Sequence, residues 1–215
     1  MGISYAITVC DEIKEFKRLI TQLLDIIEKD DEIIVQQDDR LEVTQGAQDI
    51  ADYIYKLLPT IDNDQFQYIK YPLNKNFADF KNNLKSHCKK DYIFFIDADE
   101  YVSNTLTQHL KTILTANPGI EMLRVPRVNT VEGLTKDHIE KWRWQVDKKG
   151  YINWPDYQDR VCQNKDFIKW QGIVHEKLVG WKAFAELPIS DESFALYHPK
   201  DIKRQEKQNE FYNKL

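Results

Sequence analysis

The 215 residues are 42% hydrophobic and 30% charged, with only 7 Gly and 7 Pro, a composition that buries one ordinary core and excludes a low-complexity or disordered chain. The net charge of −5 excludes a general affinity for nucleic-acid phosphates.

Ser4 to Val9 is a short run of β-formers, after which Ile13, Phe16, Ile20, Leu23 and Ile27 recur at helical spacing. A second strand, Glu32 to Val35, runs into Gln36-Gln37-Asp38-Asp39. Ile50, Tyr53, Ile54, Leu57 and Leu58 then mark a helix stopped by Pro59. Gln67 to Tyr71 reads as a third strand, Phe77, Phe80, Leu84 and Cys88 stripe a third helix, and Tyr92 to Ile96 is a fourth strand. Strands alternating with helices predict an α/β fold with a mostly parallel central sheet, right-handed crossovers and flanking helices. Beyond Glu100 the pattern loosens. Leu106, Leu110, Ile113 and Leu114 stripe a helix ended by Asn117-Pro118-Gly119, Glu121 to Val128 reads as a strand, and Thr135 to Gln145 as a helix. From Tyr151 to Trp181 aromatics, short strand-like runs and charges mix irregularly, while Pro199 to Leu215 is polar enough to predict a solvated surface helix.

The most informative segment is Tyr92-Ile93-Phe94-Phe95-Ile96-Asp97-Ala98-Asp99-Glu100. An apolar run ending in Asp-x-Asp delivers two carboxylates to the carboxyl edge of the sheet, where open α/β sheets bind ligands. Mg²⁺ and Mn²⁺ prefer oxygen ligands, and one or two carboxylates commonly share such an ion with substrate phosphates. Asp97 and Asp99 lie on one face only if the chain stays extended through Ala98. The competing reading is a strand that runs into an acidic turn. Two further strand ends are acidic, Val9-Cys10-Asp11-Glu12 and Gln36-Gln37-Asp38-Asp39. Any one of them serves as a cap or a turn, and Asp11 suits the cap of the first helix. Three parallel strand ends carrying acids to one edge predict a metal and nucleotide cleft.

Together these segments resemble family 2 glycosyltransferases of the GT-A fold. That family carries an acidic first strand end, here Asp11-Glu12, an Asp-Asp after the second strand, here Asp38-Asp39, and an Asp-x-Asp on the fourth. Asn76-Phe77-Ala78-Asp79-Phe80-Lys81-Asn82 is similar to a helix opening of lipopolysaccharide-core glucosyltransferases. Lys81 stands where Arg is usual, a change that keeps the charge and loses the planar fork. Trp154-Pro155-Asp156-Tyr157-Gln158-Asp159-Arg160-Val161, followed by Trp170-Gln171-Gly172-Ile173-Val174-His175-Glu176, is similar to the family's Asp-x-Gln-x-Arg-Leu…Gly-x-Val-His-Glu segment, with Val161 replacing Leu. The match covers most of the chain apart from the polar tail.

The resemblance implies transfer of a sugar from a nucleotide diphosphate donor, a UDP-sugar by preference, to a hydroxyl of a glycan, lipid-linked or other acceptor. It implies inversion by direct displacement with Mn²⁺ or Mg²⁺, and cell-envelope or surface polysaccharides as the usual products. The implied organisation is a single domain over 1–215, with a donor half (1–103), an acceptor and catalytic half (104–198) and a polar C-terminal helix (199–215). Asp38 and Asp39 would contact base and ribose, with Cys10, Asp11 and Glu12 nearby, and Lys75, Lys81 and Asn82 would lie toward the donor. Asp97, next to Ala98, would reach the ribose or the metal, Asp99 would be the principal metal ligand, and His198 a further one. For His198 the competing reading is an ordinary hydrogen-bonded histidine. Glu176 is the expected base for the acceptor hydroxyl, with Asp156 and Asp159 as rivals. Asp159 and Arg160 read equally well as an ion pair. His175 would orient Glu176 or contact the diphosphate. Of the five Trp residues most are expected in the core, with Trp154 and Trp170 the two placed for an acceptor sugar.

Three alternatives carry less of the sequence. A phosphotransferase of the haloacid dehalogenase type places Asp-x-Asp on its first strand and needs a downstream Gly-Asp-x-x-x-Asp, which is missing here. A metal-dependent nucleotidyltransferase shares the related fold, but the chain has no Gly-rich phosphate loop near its start. A non-catalytic sugar-binding protein has no use for Asp97, Asp99 and Glu176 together. Cys10, Cys88 and Cys162 have no Cys-x-x-Cys spacing and suit reduced thiols. Met1 to Tyr5 lacks the features of a signal peptide, and no apolar run approaches the roughly 18 residues that span a bilayer, so the expected location is cytoplasmic.

Overall fold

Apolar runs too continuous to leave one face wet form strands that must be covered on both sides. In the computed structural model, which describes residues 1–39, 44–62 and 64–212, the last two as backbone only, this is the state of the N-terminal half. Its strands are Ile3–Val9 (β1), Glu32–Asp38 (β2), Phe66–Tyr71 (β3) and Tyr92–Asp97 (β4), all parallel in the order 3-2-1-4. Helices Ile13–Ile26 (α1) and Gln45–Leu57 (α2) bury Phe16, Leu19, Ile20, Leu23, Ile50 and Ile54 against Tyr5, Ile7, Ile33, Val35, Phe94 and Ile96. Helix Phe77–Ser86 (α3) covers the opposite face, where Ala6, Ile34, Ile93 and Phe95 meet Ala78 and Leu84. Thr44 and Asn76 cap α2 and α3 through their side chains, and α2 ends at a 3-10 turn, Leu58–Thr60, containing Pro59.

Between β3 and β4 the chain crosses to the far side of β1, so the strand order reverses there. Such a switch point opens a crevice at the carboxyl ends of the two diverging strands, here β1 and β4. The start of α2 closes in on the same place: a Cβ on Gly46 would stand 2.4 Å from the Asp11 carbonyl oxygen, so only glycine lets the helix approach this closely.

The second half extends the sheet with Tyr101–Val102 (β5), Met122–Glu132 (β6), Tyr157–Gln163 (β7), Leu196–Asp201 (β11) and, beside β6, Phe184–Glu186 (β10). Strand β7 is antiparallel to both β4 and β6, and β11 runs parallel to β6. Lys169–Gln171 (β8) and Lys177–Val179 (β9) form a hairpin whose Trp170 and Leu178 join the core under α3. Among the described residues three helices, Asn104–Ala116 (α4), Lys136–Trp142 (α5) and Ile202–Tyr212 (α6), complete the second half. The helix expected over 135–145 is shorter, because Arg143 adopts a left-handed conformation that ends it. The polar tail does not begin helical at Pro199: residues 196–201 continue the sheet. Pro199 is tolerated there because β5 pairs with β11 only at Leu196 and Tyr197, leaving the rest of that edge without a ladder to break. No helix among the described residues is long and apolar enough to cross a membrane.

Candidate active site

Strand β4 stops at Asp97. Ala98 donates its N–H to the Thr8 carbonyl at 2.9 Å and Glu100 donates to the Asp97 carbonyl at 2.9 Å, so a tight turn replaces the extended path and the two carboxylates separate. Asp97 keeps the α3 side of the sheet. Thr8, its register partner on β1, donates to Oδ1 at 2.9 Å, Arg160 Nη2 donates to Oδ2 at 2.8 Å, and Lys81 Nζ stands 3.6 Å from Oδ1. Arg160 is buried and also donates to Glu100 Oε1 at 2.6 Å, which takes a second bond from Arg127 Nη1 at 3.1 Å. Burial opposes ionisation of Asp97, but Arg160 and then Lys81 outweigh it and hold the carboxyl well below its usual range.

Asp99 is held by the other half of the chain. Its Oδ2 lies 3.1 Å from His198 Nε2 on β11, 3.3 Å from Arg204 Nη2 on α6 and 4.0 Å from Lys200 Nζ. Burial again opposes its ionisation, and His198, Lys200 and Arg204 overcome it, so its pKa is lowered. Arg204 also pairs with Glu15 of α1 at 3.1 Å. At the exit of β1, ligand atoms of Cys10, Asp11 and Glu12 lie within 4.8 Å of one another. Burial, and next the charge of Asp99, push Glu12 up to about 7.

Of the three acids expected to compete as base, the structure brings one to Asp97. Glu176 Oε1 is 2.7 Å from Lys81 Nζ, the same ammonium that faces Asp97. Asp156 is saturated: Arg127 donates to its Oδ2 from Nε at 3.0 Å and Nη2 at 2.8 Å, Asn129 from Nδ2 at 2.7 Å, and Gln158 reaches Oδ1 at 2.9 Å. Asp159 pairs with Arg124 at 3.0 Å and alternates with Arg160 along β7, so the two neighbours do not form the ion pair that their adjacency suggests. His175 is exposed and left-handed at φ 55° in the loop that delivers Glu176.

The residues expected around a donor divide similarly. Asp38 is buried and accepts from the Leu73 N–H at 2.9 Å, holding the turn after β3, while Asp39 is exposed. Lys75 is exposed at the left-handed tip of that turn. Asn82 is bound like a missing strand residue, its Nδ2 donating to the Trp170 carbonyl at 2.9 Å and its Oδ1 accepting from the Trp170 N–H at 2.8 Å. Trp170 is thereby a core residue, edge-on to Phe95 with Lys81 Nζ 4.6 Å above its ring. Trp154 is half-buried, tilted against Tyr151.

The description Glycosyl transferase family 2 matches residues 4–174. This chain belongs to that family. Among solved structures, three of TarS from S. aureus share its GT-A architecture and each covers 93% of the chain: TarS 1-349 (TM-score 0.56, 10% identity), its complex with UDP (0.61, 11%) and its complex with UDP-GlcNAc (0.62, 11%). The chain spans 60%, 60% and 59% of those three chains in turn. No curated protein matches it.

Within this family 2 domain, the donor set at Asp99 suits a hard divalent cation. Two neighbouring ligands of an octahedral ion at about 2.1 Å stand about 3 Å apart, and His198 Nε2 and Asp99 Oδ2 are 3.1 Å apart. The carboxyl of Glu12, pushed up first by burial and then by the charge of Asp99, is a second carboxylate whose ionisation a cation would ease. Asp97 fits less well, since Thr8 and Arg160 already occupy both its oxygens. Several residues that build the site were not read from the sequence: Thr8, Glu100, Arg127, Asn129, Lys200 and Arg204. The only signal for Lys200 and Arg204 was their spacing of four just after Tyr197-His198-Pro199.

Proposed function

We propose that the chain transfers a sugar from a nucleotide diphosphate donor, by preference a UDP-sugar, to an acceptor hydroxyl with inversion, assisted by Mn²⁺ or Mg²⁺. The observation that carries this reading is the gathering of Asp97, Asp99, His198 and Glu176 around the β1/β4 crevice. Support comes also from family membership and from the UDP and UDP-GlcNAc complexes of TarS. Asp99 and His198 would hold the cation, with Glu12 beside them. A bound divalent cation offsets negative charge that develops on a departing diphosphate. Arg204 adds permanent positive charge on the same side, and Lys200 adds its ammonium, whose pKa burial lowers, so the leaving group meets cations already in place. Glu176 would take the acceptor proton, positioned by Lys81. Asp38 and Asp39, at the end of β2, would border the base and ribose. A glycan or lipid-linked acceptor would approach the half of the domain over 104–198. Among the described residues Cys10, Cys88 and Cys162 form no disulfide, and with burial pushing Cys88 up and Cys162 up to about 12 they suit a reducing cytoplasmic setting.

Calorimetry with UDP and other nucleoside diphosphates, with and without Mn²⁺, tests the donor assignment. Metal-dependent binding of UDP is expected; absence of metal-dependent binding to any diphosphate refutes it. Glu176→Gln is expected to abolish transfer while leaving UDP affinity nearly intact, and retained turnover removes Glu176 from the role.

A further inference from the structure

Parallel strands β6 and β11 set Asn129 beside His198 in register. Asn129 Oδ1 lies 2.8 Å from His198 Nδ1, and Asn129 Nδ2 donates to Asp156 Oδ2 at 2.7 Å. The direction of each bond in this chain is fixed from its far end. Arg127 can only donate, and its Nε and Nη2 both bind Asp156 Oδ2. Burial opposes ionisation of Asp156, but Arg127, then Asn129 and Gln158, lower its pKa, so it is a carboxylate that can only accept. The Asn129 atoms facing it are therefore the amide N–H groups, and the amide oxygen is turned toward His198. An amide oxygen can only accept, so His198 Nδ1 carries the hydrogen.

The consequence falls on the opposite ring nitrogen. Asp99 is also a carboxylate that can only accept, so without a cation Nε2 carries a hydrogen too and donates it to Oδ2 at 3.1 Å. A cation that takes Oδ2 displaces this hydrogen, and because Asn129 keeps the one on Nδ1, the in-plane lone pair is left on Nε2. That is the form in which imidazole binds a metal. We propose that Asn129 is a positioning residue that sets the tautomer and aim of His198, so that Nε2 and Asp99 face one divalent cation together. The inference rests on the metal-assisted reading above. It gives Asp156 a purpose different from proton transfer: Arg127 and Asp156 orient Asn129, and Asn129 orients the ligand.

The test has two arms on the full chain. Long-range ¹H–¹⁵N spectroscopy of wild type loaded with UDP and the diamagnetic Mg²⁺ is expected to show His198 protonated on Nδ1 alone, the minor tautomer of free histidine. An Nε2–H tautomer overturns the proposal whether or not any variant folds. In the second arm, Mn²⁺ binding in the presence of UDP is followed by electron paramagnetic resonance. Asn129→Leu is expected to weaken Mn²⁺ about 10–100-fold while UDP affinity without metal stays unchanged. Wild type that binds no Mn²⁺ overturns the metal reading and with it the purpose assigned to Asn129. Wild type that binds Mn²⁺ with the same affinity as Asn129→Leu overturns the role of Asn129 alone.

Discussion

Lys81 Nζ pairs with Glu176 Oε1 at 2.7 Å from a position buried under the ring of Trp170. A single ammonium on α3 thus joins the loop carrying the proposed base to the strand carrying Asp97. Lysine suits this place better than arginine, because one compact charge must serve two carboxylates that approach from different elements.

Lys81→Met is expected to lower turnover by at least about 100-fold, by releasing Glu176 from its anchored geometry, and to cost about 3–5 kcal/mol of stability by leaving two acids with one counter-ion fewer. Steady-state kinetics and urea unfolding check both. Near-normal turnover in a folded variant means that Glu176 needs no anchor.

Asn82 separates a structural from a ligand role. Both of its amide groups are used on the Trp170 backbone, so Asn82→Ala is expected to destabilise the protein by about 1–3 kcal/mol and to leave UDP affinity within about twofold at a temperature where the variant is folded. Lost UDP binding in a variant of wild-type stability shows the reverse.

Stability should respond to pH in two opposite ways. Asp97 and Asp99 have pKa values lowered in the folded state, so their contribution is present above the unfolded carboxylate range, about 4, and is lost as pH falls through the folded values. Glu12 is raised to about 7, so its contribution decreases as pH rises from the unfolded value, about 4.3, through neutrality. Glu12→Gln is accordingly expected to be more stable than wild type at pH 8, by about 3–4 kcal/mol, with the difference closing toward pH 4. Urea midpoints across that range decide it, and a constant offset contradicts the assignment.

Mn²⁺ and nucleotide are expected to bind as a pair. Lys200 and Arg204 crowd Asp99, and their charge repels an added cation until a diphosphate offsets it. Titration of Mn²⁺ should show at least a tenfold tighter site with UDP present, and chelation should weaken UDP by the same factor. Independent affinities contradict this coupling.

The N-terminal half of the fold was legible because its signals are local. Continuous apolar runs marked β1, β2 and β4, heptad-like stripes marked α1 to α3, and each strand ended in acids that the parallel topology brought to one edge. What escaped the sequence depends on register and on pairs distant along the chain. Thr8 meets Asp97 because β1 and β4 are aligned to the residue. Asp159 and Arg160 look like an ion pair in sequence, yet strand alternation sends them to Arg124 and to Asp97 with Glu100. Asn82 sits within a family-like segment but serves Trp170, 88 residues away. The turn at Ala98, which parts Asp97 from Asp99, follows from one backbone bond to Thr8 that no spacing rule reveals.

Arg204 holds Glu15 with one nitrogen and Asp99 with another. The first helix and the last are therefore fastened to the Asp-x-Asp turn at one guanidinium, and the two ends of the domain are mechanically continuous with its centre. Any partner or load that tilts α6 acts directly on the charge around Asp99, and Arg204→Ala cuts that linkage while keeping Asp99 and His198.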